Sequence, residues 1–353
     1  MPLLGSSLLA LGLLGQAGST PSAPSAPAPA AQQASTWSLL RSLPVGGEGG
    51  WDYVTLDPEA ERLYVPRSTH VMVLDLEGKP MGDIPATSGV HGVALAPELD
   101  RGFTSNGRSN TMTVFKRSTL AVIQEVKTTG ENPDAILYEP ATRQIFTFNG
   151  RGKNATVFNA ETLQVVGTIP IGGKPEFSAC DGKGHIFVNV EDTHELLTID
   201  AIKRAVTARW SLKPLEEPTG LAIDAARQRL FAVGGNKLMA VVDIPSGKLI
   251  ATLPIGAGCD GVVFDPGTGC AYAANGEGTI TIIRADGLKT PFTVEATVPT
   301  RKGARTLAVD PKTHLLYLPT AAFASAPAAK AGERSRPTMV PGSFQMLVVG
   351  TAR

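Results

Sequence analysis

Residues 132–149 read as an apolar strand, a turn at Glu139-Pro140 and a second strand that ends on Asn149. The same unit recurs along nearly the whole chain. Its turns fall at Asp57-Pro58, Ala96-Pro97, Glu139-Pro140, Asp181-Gly182, Asp224-Ala225, Asp265-Pro266 and Asp310-Pro311. Successive turns lie 39 to 45 residues apart, the period of a four-stranded propeller blade. With seven copies of one unit, the fold is read from the repeat and the function from what varies between copies.

Within the fifth copy four strands are legible, at 220–223, 229–233, 238–243 and 248–253, and no segment needs a helix. The 38 glycines and 27 prolines of the chain suit an all-β protein with many tight turns. The last copy supplies only three strands, at 306–309, 315–318 and 344–349, while a lone strand starting at Trp37 stands ahead of the first copy. The two ends complement each other. The expected architecture is therefore an all-β, seven-bladed β-propeller of four-stranded antiparallel blades. Its ring is closed by the N-terminal strand completing the last blade, which removes the exposed sheet edges of an open array.

The second strands end in Leu63-Tyr64-Val65-Pro66, Phe103-Thr104-Ser105-Asn106, Phe146-Thr147-Phe148-Asn149, Phe187-Val188-Asn189 and Tyr272-Ala273-Ala274-Asn275. These endings, with the stretches at 92–97 and 218–224, resemble the YVTN-type (YncE-like) β-propeller repeat, a WD40-like arrangement, from about residue 36 to 350. None spells the full Tyr-Val-Thr-Asn. The resemblance implies a seven-bladed propeller, usually exported in bacteria, and says little about activity because propellers host many.

Export is expected from the N-terminus as well. A short apolar run at residues 3–15, too short to span a bilayer comfortably, precedes a Pro/Ala/Ser-rich stretch. That is the layout of a signal peptide (1–19) and linker (20–35) ahead of a propeller domain (36–353), although the basic residues that usually open a signal are missing. A periplasmic or secreted monomer without a transmembrane helix in its mature form is the expectation. Cys180, Cys259 and Cys270 show no metal-finger or haem-attachment spacing and read as free thiols. The formal net charge is zero, which disfavours a sequence-independent grip on nucleic acid. The letters of a dinucleotide fingerprint at 256–261 precede a strand, where that motif needs a helix.

Five residues before each turn stand Asp52, His91, Asp134, Glu176, Thr219, Asp260 and Arg305. Six of the seven are ionisable, in strands that otherwise run apolar, and all should converge on one mouth of the central channel. Arg67, Asn106, Asn149, Asn189 and Asn275 end second strands near the same face, with Arg108, Arg151 and Glu191 just beyond; the asparagines also suit turns. Carboxylates with amide oxygens suit a hard cation such as Ca²⁺, for which Asp52, Asp134, Glu176 and Asp260 are the candidate ligands. Carboxylates beside His91 suit a transition metal or acid–base work, and a hydrated channel with internally paired charges explains the ring too. The leading expectation is a propeller that binds a small ligand, metal or protein partner at this mouth without catalysis. The alternatives are a metal-dependent, lactonase-like hydrolase with His91 as proton carrier and an interaction scaffold using blade edges. An Ala/Pro-rich insertion at 321–342 in the last copy reads as a lid over the ring or as a solvent loop.

Overall fold

Each repeat folds as the turn spacing dictates. The computed structural model describes residues 36–287, 292–324 and 338–352, and in them seven four-stranded antiparallel sheets follow one another in chain order. Blade 3 is typical, with strands Pro133–Glu139, Gln144–Asn149, Asn154–Asn159 and Val165–Pro170 from the channel outward. The expected signal peptide and linker, and residues 325–337 of the insertion with Arg334 and Arg336, lie outside the described residues. Among the described residues no helix is long and apolar enough to cross a membrane.

The turns after the first strands explain why that register favours acidic residues. Asp57 Oδ1 accepts the N–H groups of Glu59 and Ala60 at 3.2 and 3.1 Å, Glu139 accepts that of Thr142 at 2.7 Å, and Asp310 accepts that of Lys312 at 3.0 Å. A carboxylate here closes the turn by satisfying backbone donors. Four residues after the mark, Glu61, Arg143, Gln228 and His314 take left-handed backbone, so the turns share one geometry.

Closure is as expected. Strand Trp37–Pro44 pairs antiparallel with Gln345–Thr351, from Trp37 opposite Thr351 to Pro44 opposite Gln345, and so becomes the outer strand of blade 7. The apolar core lies between blades. Phe146, Phe148 and Val157 of blade 3 meet Ile186, Val188 and Leu197 of blade 4. Blade 7 is held on both sides, by Tyr272 and Ile282 of blade 6 and by Leu63 and Val65 of blade 1. Trp37 packs its ring 5.2 Å from that of Tyr272. Each such side chain contributes about 1.5–3 kcal/mol, which locks the closing strand through packing as well as hydrogen bonds.

Along the axis, first-strand residues Leu56, Leu137, Phe177, Ile223, Phe264 and Val309 line an apolar cavity of about 470 Å³. Cys259 and Cys270 are buried, Cys180 is half-buried, and all three are free. Cys259 opens a strand, Cys259–Asp265, so the glycine-rich run before it has no helix to serve. The root of the insertion is a short ribbon in which Phe323 bridges to Met339, and Phe323 packs 5.8 Å from Trp51.

Candidate functional site

The ring register is where the first strands break step. In blade 2, Val90 pairs with Asn106 and the next pair is Val93 with Thr104. His91 therefore sits in a bulge. The same shift occurs at Asp134, Glu176 and Thr219, and at Asp260 with one residue fewer. A bulge leaves an unpaired residue and re-aims its side chain, which turns these positions toward the mouth. Side chains of neighbouring blades pin this register. Thr306 Oγ1 donates to the Asp52 carbonyl at 2.9 Å, Ser105 Oγ donates to the Asp134 carbonyl, and Thr219 Oγ1 donates to the Cys259 carbonyl at 3.0 Å. Thr219 thus serves the scaffold.

From Asp260 through Arg305, Asp52 and His91 to Asp134 the charged members alternate in sign. Arg305 Nε lies 2.7 Å from Asp260 Oδ2, and Arg305 Nη2 lies 3.9 Å from Asp52 Oδ1. Asp52 Oδ2 lies 2.7 Å from His91 Nδ1, which is 3.6 Å from Asp134 Oδ1. On the far side Lys174 contacts Glu176 at 2.5 Å and also Glu191. The hydroxyl of Tyr53 is 3.5 Å from Glu176 Oε2.

Such a row in a largely apolar channel shifts its own ionisation. Burial resists charge on His91, but the Asp52 hydrogen bond and the Asp134 charge overcome it and raise its pKa to about 9. Burial, with Asp52 nearby, raises Asp134 to about 6 despite His91. Burial and the Asp134 charge raise Glu176 to about 8. Burial raises Asp260 against the pull of Arg305. Tyr53, buried among these carboxylates, is pushed well above its usual value and stays a neutral donor. Burial also raises the Cys259 thiol, which makes it unreactive as a thiolate.

Above this row, over blades 1 to 3, opens a cavity of about 430 Å³ whose wall includes Trp51, Asp52, His91, Arg108, Glu131 and Arg151. Arg108 and Arg151 are exposed and, among the described residues, form no ion pair. His91 is admitted to the wall by Gly107, since a Cβ there would lie 2.7 Å from His91 Nε2.

Five expected site residues lie elsewhere. Arg67 is fully buried, donates to the carbonyls of Gly46 and Gly49 at 3.1 and 2.9 Å and stacks 3.7 Å from the Phe344 ring. Asn106, Asn149 and Asn275 are also fully buried and donate within their own blades, to Thr113, Thr156 and Thr281, each at 2.9 Å. Asn189 donates to the Thr219 carbonyl of the next blade at 2.9 Å. The second strand's last residue points between strands, so these side chains hold the blades. Nor do the four carboxylates converge as one cation cage. Arg305 takes Asp260 and Lys174 takes Glu176, which leaves Asp52 and Asp134 around His91.

Lys174 and Tyr53 are functional-site residues that the register comparison missed. Lys174 lies two positions before the ring, where the other copies carry Gly50, Gly89, Asn132, Glu217, Gly258 and Gly303. A lone cation in that column is the signal that would have found it. Tyr53 follows ring residue Asp52, where the other copies are mostly small.

Among the solved structures that superpose on this chain, the WD40 repeats of RRP9 align with a TM-score of 0.72 at 9% identity, over 88% of this chain and 97% of theirs. U3-55K aligns with a TM-score of 0.71 at 10% identity, over 87% and 97%. Kuenenia stuttgartiensis hydrazine synthase aligns with a TM-score of 0.67 at 15% identity, over 78% and 92%. Similarity at this level is similarity of fold. No protein-family model matches the chain, and no curated protein matches it in sequence.

Proposed function

We propose that this propeller binds a small anion-bearing molecule in the mouth cavity over blades 1 to 3. The observation that carries the reading is the pairing of two free guanidinium groups with a charged imidazole around one cavity. Arg108 and Arg151 have no carboxylate partner among the described residues, and His91 keeps its proton up to about pH 9. Guanidinium groups pair with carboxylate or phosphate in bidentate fashion. Buried charges are costly, and the ring charges do no apolar packing. The hydrolase reading needs His91 to accept a proton at neutral pH, whereas its surroundings favour a hydrogen-bond donor.

Membership of the YVTN-type family and export to the periplasm or exterior belong to the same proposal. They rest on the strand endings and on the apolar run and linker before residue 36. Intact mass of protein from its native host tests export, with a mature start expected between residues 19 and 35. Thermal melts with inorganic phosphate, citrate and glutamate test binding. At 100 times its Kd a ligand adds about 2.7 kcal/mol, so at least one probe should raise the Tm of the wild type and not that of Arg108→Ala/Arg151→Ala. No shift with any probe, or a shift retained by the double variant, contradicts the reading.

A further inference from the structure

We propose that Asp52, His91 and Asp134 form a binding site for a first-row divalent transition metal. Each comes from a different blade, and one ligand atom from each lies within 4.8 Å of the other two. Two donors about 2.1 Å from one ion stand about 3.0 Å apart at a right angle and about 3.4 Å apart at a tetrahedral angle. The observed separations from His91 Nδ1, 2.7 Å to Asp52 Oδ2 and 3.6 Å to Asp134 Oδ1, bracket those values. One imidazole and two carboxylates suit Zn²⁺, Co²⁺ or Mn²⁺. Ca²⁺, which takes six to eight oxygens, is poorly served.

The site is held in place by its neighbours. Thr306 fixes the Asp52 carbonyl at 2.9 Å, and Ser105 fixes that of Asp134 while accepting the Gly92 N–H at 3.1 Å. Gly107 gives the imidazole its room. Asp52 and His91 stand in the wall of the 430 Å³ cavity, so remaining coordination positions open onto the space where a small ligand would enter. A site open on one side is the arrangement of metals that take an exogenous ligand. A bound ion would take the place of the proton on His91 Nδ1. The positive charge beside Arg108 and Arg151 thus comes from imidazolium in the metal-free protein and from the ion in the loaded one. The inference does not depend on anion capture, since metal binding is read without any anion.

The test uses chelator-stripped protein at pH 8, with Co²⁺ followed by visible absorption and Zn²⁺ by calorimetry. One equivalent of each should bind, and bound Co²⁺ should gain absorption over the aqueous ion. His91→Gln should weaken binding more than about 100-fold, because even indirect supports of a metal site are worth 10- to 100-fold. His314→Gln is the control. His314 Nδ1 also lies 2.7 Å from a carboxylate, that of Asp265, so its loss should leave binding unchanged. Absence of a wild-type Co²⁺ signal, binding that survives His91→Gln, or Ca²⁺ binding as tight as Zn²⁺ binding overturns the proposal. Should His91→Gln fail to fold, Asp134→Asn and the wild-type spectrum decide it.

Discussion

Stability of the metal-free protein should fall as pH rises from about 5 to 9, and Glu176→Gln should remove a large part of that fall. His91 is raised from 6.5 to about 9. Its contribution to stability is fully present below 6.5 and is lost as pH climbs through 9. Glu176 is raised from 4.5 to about 8. A carboxylate raised in this way costs the folded state nothing below 4.5, and the cost of its charge mounts until pH 8. Both groups leave the native state holding more protons than the unfolded chain near pH 7.5, by about 1.6 in all, or about 2.2 kcal/mol per pH unit. Their shifts share the Asp134 charge, so the total is not a simple sum. Glu176→Gln removes about half of that proton excess and should roughly halve the slope. At pH 6 the amide replaces a carboxyl that is already protonated, so stability there should change little, while at pH 9, where the wild type carries the buried charge, the variant should match or exceed it. Urea titrations at pH 6, 7, 8 and 9 with chelator present measure both slopes. A wild-type stability that is flat or rises over this range refutes the reasoning, as does an unchanged slope in Glu176→Gln.

Three further outcomes follow from the packing. Gly107→Ala places a methyl group 2.5 Å from Asn132 Nδ2 and 2.7 Å from His91 Nε2; it should cost about 1–3 kcal/mol and lower the His91 pKa, and an unchanged melt and titration would count against the placement of the imidazole. Lys174→Met leaves Glu176 and Glu191 without their shared cation and should destabilise at pH 8 by a few kcal/mol but less at pH 6, as paired melts would show. Deleting strand Trp37–Pro44 should expose the edge of blade 7 and lower stability by several kcal/mol or cause aggregation; normal solubility and Tm would rule out its closing role.

The fold was legible because its information is periodic. One acidic or small turn residue every blade, satisfied by backbone donors as at Asp57 and Asp310, marks the register directly. The missing fourth strand of the last copy pointed to residue 37 onward for the same reason. The ring was legible as a column of charges, yet its electrical partners were not. Counting one position per repeat finds Asp134 and Glu176 but passes over Lys174, which reaches the ring from two residues upstream. The asparagines misled because a strand end near the mouth in sequence need not face it. Asn106, with Thr111 and Thr113 five and seven residues on, and Asn275, with Thr279 and Thr281, show the spacing of a bond across a hairpin. That spacing, more than the asparagine itself, tells where the amide goes. The bulges that aim His91 and Asp134 depend on cross-strand registration, which no local sequence pattern announces.

Heteronuclear NMR of the His91 imidazole tests the mouth as a binding site most directly. The chain has five histidines, few enough to assign with single variants. In the metal-free protein the His91 ring should remain protonated until about pH 9, and its resonances should move when citrate or inorganic phosphate fills the cavity, in the wild type and not in Arg108→Ala/Arg151→Ala. A His91 that titrates near 6.5 and is indifferent to both anions would contradict the account.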